Sequence, residues 1–219
     1  MATKKSQRWG ILVILVALVI GTFGSFAAMM IGNDTQTQEA ARQQALYAKY
    51  QEESKAYQAK LDAQGVELSK KYYEDFKQYS SQVGEFDRDS VKELKTDDLK
   101  VGDGAEITGT TKFATYYIGW NPKGKVFDQS IDGEALKSPL PVADGLDAAG
   151  LITGWKDGMK GMKIGGVRVV TIPSDLAYGE QSPGDDIPAN TPLKFVIMAI
   201  PLPEQFAPPS IPNELMQAS

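Results

Sequence analysis

The chain has no histidine and no cysteine. That excludes thiol nucleophiles, disulfide frameworks, Ser-His-Asp triads, zinc fingers and imidazole metal sites, and it leaves hydroxyls, carboxylates, amines, backbone dipoles and shape as the chemical repertoire. Concentrated positive charge is lacking too. Its 23 Lys and Arg stand against 28 Asp and Glu in 219 residues, for a net charge of −5 and a pI near 4.9. This balance argues against a nucleic-acid binder, whose phosphate contacts need a basic face. No G-x-x-x-x-G-K-S/T loop and no G-x-G-x-x-G opening a βαβ unit is present, so nucleotide chemistry is disfavoured as well. Nothing in the residues calls for a metal or a cofactor.

Proline is missing from the first half of the chain, and glycine is scarce from Asn33 to Val101. All 12 prolines lie at or beyond Pro122, and 15 of the 21 glycines fall from Gly102 onward. Only Gly65 and Gly84 occur between Asn33 and Val101. The first part therefore reads as helical and the second as turn-rich.

Charge is absent over one long stretch, from Gly10 to Asn33, whose run from Ile11 to Ile31 is 21 mainly apolar residues. About 20 residues rising about 1.5 Å each span a ~30 Å hydrocarbon core, so this run reads as an uncleaved transmembrane signal-anchor. Lys4, Lys5 and Arg8 precede it, and Asp34 and Glu39 follow it. By the positive-inside rule the N-terminus is cytoplasmic and the rest extracytoplasmic, at a plasma membrane. A cleaved signal peptide ending near Ser25-Phe-Ala27 is the alternative, against which stands the length of the apolar run.

From Thr35 to Val83 the composition favours helix, with Tyr47, Tyr50, Tyr57 and Leu61 on one face and Leu68, Tyr72, Phe76 and Tyr79 keeping helical spacing beyond Gly65. Two helical stretches broken near Gly65 are expected, as a stalk, a hairpin or a self-associating coil. Alternation then appears in Thr111–Ile118, Gly166–Ile172 and Leu193–Ile200, each bounded by Gly or Pro, which is how half-buried strands read. A short helix fits between Thr153 and Met162, with Thr153 as a cap. The tail from Pro201 to Ser219, with five prolines, is expected to be extended or disordered and solvated. The expected organisation is a basic stub and anchor over 1–32, a helical linker over 33–88, a β-rich domain over 89–202 and a Pro-rich tail over 203–219.

An ordered series runs through the β-rich part: Val126-Phe-Asp-Gln-Ser130, Leu151-Ile-Thr-Gly-Trp155, Gly158-Met-Lys-Gly-Met162, Thr171-Ile-Pro173, Leu176-Ala-Tyr-Gly179, Ile187-Pro188 and Leu193-Lys-Phe195. Taken singly these are ordinary core and turn residues. In this order and spacing they resemble the successive signatures of FKBP-type peptidyl-prolyl cis-trans isomerases, over roughly Ser90 to Leu202. The resemblance implies an α+β fold: a bent antiparallel sheet wrapped around one short helix, with an apolar cavity between them that accepts a prolyl side chain. It implies Trp155 as the cavity floor, and Tyr117, Phe127, Leu151, Ile152, Tyr178, Ile187 and Phe195 as walls, with Asp128 beside Tyr117. The Ile152 N–H and the Tyr178 hydroxyl would hold the peptide carbonyls. Proline-containing polypeptide clients, and a macrolide inhibitor, are the ligands so implied.

Some positions depart from the family pattern. Leu140 and Val142 stand where aromatics are common, Gly150 where an acid is frequent, and Asp185 and Asp186 place carboxylates at the rim. If Asp128 is inside, burial requires a donor for it, and Tyr117 is the candidate. Two non-catalytic alternatives remain open from sequence: a peptide-binding chaperone or scaffold of the same fold, and an interaction protein whose function lies in the helical segment.

Overall fold

The computed structural model describes residues 34–216. The predicted anchor, Ile11–Ile31, lies outside them, and among the described residues no helix is long and apolar enough to cross a membrane. The chain divides into two compact units, one running from Asp62 to Gln205 and the other formed by residues up to Leu61 together with those from Phe206 onward.

The first element among the described residues, α1 (Asp34–Lys77), is one continuous 44-residue helix. The break expected near Gly65 does not occur. One interior glycine costs a helix about 1 kcal/mol relative to alanine, and here the residues after it gain tertiary contacts. Within the 62–205 unit Leu68, Tyr72 and Tyr79 are half-buried and Phe76 is fully buried, so packing outweighs propensity.

Eight strands follow: β1 (Lys95–Lys100), β2 (Phe113–Trp120), β3 (Val126–Gln129), β4 (Ile131–Asp132), β5 (Ala135–Leu136), β6 (Leu140–Val142), β7 (Val167–Ile172) and β8 (Leu193–Pro201), with the short helix α2 (Thr153–Met159) between β6 and β7. The main sheet is antiparallel in the order β1-β7-β8-β2-β3, and β6 pairs with the first half of β2, opposite Phe113 and Thr115. β4 and β5 form a separate small hairpin between β3 and β6.

The predicted strands are present within two residues of their expected ends, but they are not half-buried. All six residues of β7 are buried, as are seven of the eight in β2. Alternation sorts them between two cores. Phe113, Val170, Ile172, Leu193, Phe195 and Ile197 face α2. Ala114, Tyr116, Ile118, Trp120, Val196 and Met198 face the other way and pack with Phe76, Tyr72 and Tyr79 of the helical region. The α1 residues that the sequence assigned to a linker thus close the back of the sheet, which is why polar alternation is weak in these strands.

The α2 helix starts at Thr153, one residue too early for Thr153 to be its cap as expected. Ile152 is the N-cap, with no side-chain cap hydrogen bond. Gly154 and Gly158 lie one turn apart on the face toward β7. A Cβ on Gly154 would sit 2.2 Å from Ile172 Cγ2, and one on Gly158 would sit 2.4 Å from Val170 Cγ1. These glycines permit close helix-on-sheet packing. Arg168, itself buried, donates from Nη1 to the carbonyls of Gly158 and Lys160 at the end of α2 and grips Asp98 of β1 through Nε and Nη2 at 2.6 and 3.0 Å. One side chain thereby fixes the helix C-terminus and the sheet edge.

Candidate active site

The inner face of β2 and β8 meets α2 at three aromatic rings. Trp155, in the first turn of α2, is 4% exposed. Tyr117 and Phe195 each meet its ring edge-on, with centroids 5.2 Å away in both cases. Phe127 of β3 packs edge-on against Phe195 at 5.6 Å. Such T-shaped contacts align ring edges with ring faces and hold the cluster rigid. The indole Nε1 of Trp155 is buried without a hydrogen-bond partner, a cost of about 1–3 kcal/mol that an apolar ring at this position would not incur.

Around this floor most of the remaining predicted residues stay partly exposed. Tyr117, Phe127, Leu140, Leu151, Ile152 and Tyr178 are half-buried and pack against the same core, while Ile187 is 7% exposed. The structure therefore brings all ten predicted side chains into one neighbourhood. Asp128 is half-buried on β3, and the Tyr117 hydroxyl donates to its Oδ2 at 2.6 Å. Its Oδ1 accepts the Gln129 N–H at 2.9 Å, so the carboxylate is held in one orientation.

The rim differs from the acidic patch suggested by Asp185 and Asp186. Asp186 forms an ion pair with Lys125, and its carbonyl accepts from Asn121 Nδ2 at 2.8 Å. The loop also closes on itself, since Ser182 Oγ donates to the Ile187 carbonyl at 3.0 Å. Ile187 is thereby placed over the core, and one rim carboxylate is neutralised by its neighbour.

Several supporting residues carry no sequence signal of their own. Gly119 of β2 is one: a Cβ there would lie 2.5 Å from Phe195 Cε1 and 2.8 Å from Phe127 Cζ, so only glycine lets both rings close over the strand. Ser130 Oγ accepts the Tyr117 N–H at 2.9 Å, and the Ser130 N–H returns a bond to the Tyr117 carbonyl. Asn121 is 6% exposed and its Oδ1 accepts the N–H groups of Lys123 and Lys125, setting the β2–β3 turn. The Asn121-Pro-Lys-Gly124 composition marks a turn in sequence; its second bond, to the rim loop, is visible only in three dimensions.

The family model described as FKBP-type peptidyl-prolyl cis-trans isomerase matches residues 90–200. The chain belongs to this family. That FKBP-type stretch is 36% identical over 104 residues to an FK506-binding protein of Neisseria meningitidis, covering 48% of this chain and 91% of the relative. It is 39% identical over 102 residues to FK506-binding protein 4 of Rhizopus delemar, covering 47% of this chain and 25% of that much longer relative. Among solved structures, a peptidyl-prolyl cis-trans isomerase from Pseudomonas syringae is similar at 26% identity and a TM-score of 0.42, covering 62% of this chain and 96% of that one. The FKBP-type domain is the part of the chain that carries the aromatic site described above.

Proposed function

We propose that the chain is a peptidyl-prolyl cis-trans isomerase that acts on exported proteins from the outer side of a plasma membrane, to which its N-terminal apolar run anchors it. The observation that carries the catalytic part is the rigid floor of Trp155 between Tyr117 and Phe195, ringed by half-buried apolar walls.

Rotation about a peptide bond has a barrier of about 18–20 kcal/mol because amide resonance is lost in the twisted state. The X-Pro bond isomerises over tens to hundreds of seconds unaided. A twisted amide has a less polar carbonyl than a planar one. An apolar, water-poor surface that seats the prolyl ring on Trp155 therefore binds the twisted form better than the planar form, and that difference lowers the barrier. In this reading the Ile152 N–H and the Tyr178 hydroxyl orient the flanking carbonyls, and Asp128, oriented by Tyr117, faces the amide. No nucleophile is involved, so the absence of His and Cys is no obstacle.

The rate of cis-to-trans conversion of an X-Pro peptide with the full chain tests this, beside Trp155→Ala and Tyr178→Phe. Acceleration that falls in both variants while they remain folded supports it. Affinity for proline peptides without acceleration would instead favour a binding module of the same fold.

The location rests on the 21-residue run Ile11–Ile31 and on Lys4, Lys5 and Arg8 before it. A chain without cysteine allows a clean topology test. In intact cells a membrane-impermeant maleimide should label Ser210→Cys and spare Ser6→Cys; the reverse pattern rejects the orientation. Self-association through the helical segment would show as a concentration-dependent mass in detergent.

A further inference from the structure

The Pro-rich tail is extended and largely exposed, as its composition suggests, apart from the short helix Asn213–Met216, but it is not detached. Within the unit formed by residues up to Leu61 and from Phe206 onward, two contacts tie the tail to α1. Lys60 Nζ lies 6.0 Å from the centroid of the Phe206 ring, and Arg42 Nη2 donates to Glu214 Oε1 at 3.4 Å. The helix partners are eighteen residues apart, which is about 27 Å at 1.5 Å per residue. The tail partners are eight residues apart; the chain has no regular structure from Phe206 to Pro212 and turns into a short helix at Asn213–Met216, so at about 3.1 Å per extended residue and about 1.5 Å per helical residue they span about 22 Å. The two spans are comparable, so the tail runs extended along the helix in the opposite direction up to Pro212 and ends in the turn that carries Glu214.

Burial follows the same pattern. In the tail Phe206, Pro209 and Pro212 are half-buried while the residues between them are exposed, a period of three, as in polyproline II, and Leu215, in the closing helical turn Asn213–Met216, is half-buried as well. In the helix Tyr47, Tyr50, Ser54, Tyr57 and Leu61 are half-buried at helical spacing. Tyrosines on a stiff helix present flat, apolar ring faces at low entropic cost, and a proline-rich strand is already extended before it binds.

We propose that the tyrosine-bearing face of α1 is a binding site for extended, proline-rich client segments, occupied in cis by the chain's own tail. The contacts that hold the tail suit exchange. The Arg42–Glu214 pair is exposed on both sides, at 72% and 50%, and such pairs contribute little; Ile211 projects to solvent at 51% exposure. A tethered strand acts at a local concentration in the millimolar range, so the tail excludes weak segments and yields to those that bind better or at more than one point. The site goes beyond the isomerase reading and does not depend on it.

The test uses the full chain and, as probe, a fluorescent peptide with the sequence of residues 203–215, followed by anisotropy. Releasing the strap with Phe206→Ser and Leu215→Ser should tighten probe binding about tenfold or more. Adding Tyr50→Ser and Tyr57→Ser should abolish that gain while thermal unfolding of the main transition stays put. No tighter binding on strap release, or a gain that survives loss of the tyrosines and so belongs to the prolyl site, would overturn the proposal. No isomerisation is read in this assay, so its failure is distinct from failure of the catalytic reading.

Discussion

The Tyr117 hydroxyl donates to Asp128 Oδ2 at 2.6 Å, joining the ring that meets Trp155 edge-on to the carboxylate on the next strand. The two residues sit on β2 and β3, whose backbones are further locked by the reciprocal bonds between Tyr117 and Ser130. The carboxylate and the aromatic floor thus form one rigid body, and neither can shift without the other.

Tyr117→Phe should keep the ring packing and remove the donor. A hydrogen bond to a charged group contributes about 1.5–3 kcal/mol, so kcat/KM on an X-Pro peptide should fall about tenfold or more, with a smaller loss in unfolding free energy. Unchanged kcat/KM would detach Asp128 from the reaction.

Gly119→Ala should disturb the site without replacing a wall residue. Its methyl would fall 2.5 Å from Phe195 Cε1, and overpacking of this kind costs about 1–3 kcal/mol. Denaturant unfolding should show that loss, and the near-ultraviolet circular dichroism of the aromatic cluster should change with it.

Phe76→Ala tests whether the second half of α1 belongs to the isomerase domain. Phe76 is fully buried and meets Tyr116 with ring centroids 6.1 Å apart, so its loss should cost about 3–5 kcal/mol. Ser69→Ala is the finer test: Ser69 Oγ accepts the buried Leu136 N–H of the β4–β5 hairpin at 2.8 Å. Leaving that N–H unpaired should cost about 1–3 kcal/mol, and Ser69→Thr should restore most of it. A linker that merely spaces the domain would show neither effect.

Acid stability should carry the signature of Asp98. Its hydrogen bonds to Arg168 hold the carboxyl below the ordinary range, against an opposing effect of burial. A group whose folded pKa is depressed contributes stability above its unfolded value, near 3.9, and loses it as pH falls through the lower folded value. The stability gap between wild type and Asp98→Asn should therefore be constant from neutrality to about pH 5 and close as the pH drops below about 4. A gap that persists at low pH would mean that Asp98 acts through packing alone.

Much of the site was legible because its parts are local motifs. Singly, Trp155 after Leu151-Ile-Thr-Gly, Phe127 before Asp128 and Phe195 alternating with Leu193 and Ile197 read as ordinary core, and it is the order and spacing of the whole series, through its resemblance to the FKBP-type signatures, that placed them in a site. Gly119, Ser130 and Asn121 were not legible as site residues. Each is an unexceptional residue whose role depends on what lies across a strand or a turn, and one-dimensional spacing carries no record of that.

The helical segment shows the same division. Helical spacing at Leu68, Tyr72, Phe76 and Tyr79 announced an apolar face but could not say what it covers, and Gly65 read as a break because propensity is local. The chain order itself determined the elements: hydrophobic period distinguishes helix from strand, and glycine and proline mark the turns. Tertiary structure alone decided that α1 closes the back of the sheet and that the tail lies along the helix. Burial free energy depends on which surfaces meet, and surfaces distant in sequence meet only when the chain is folded.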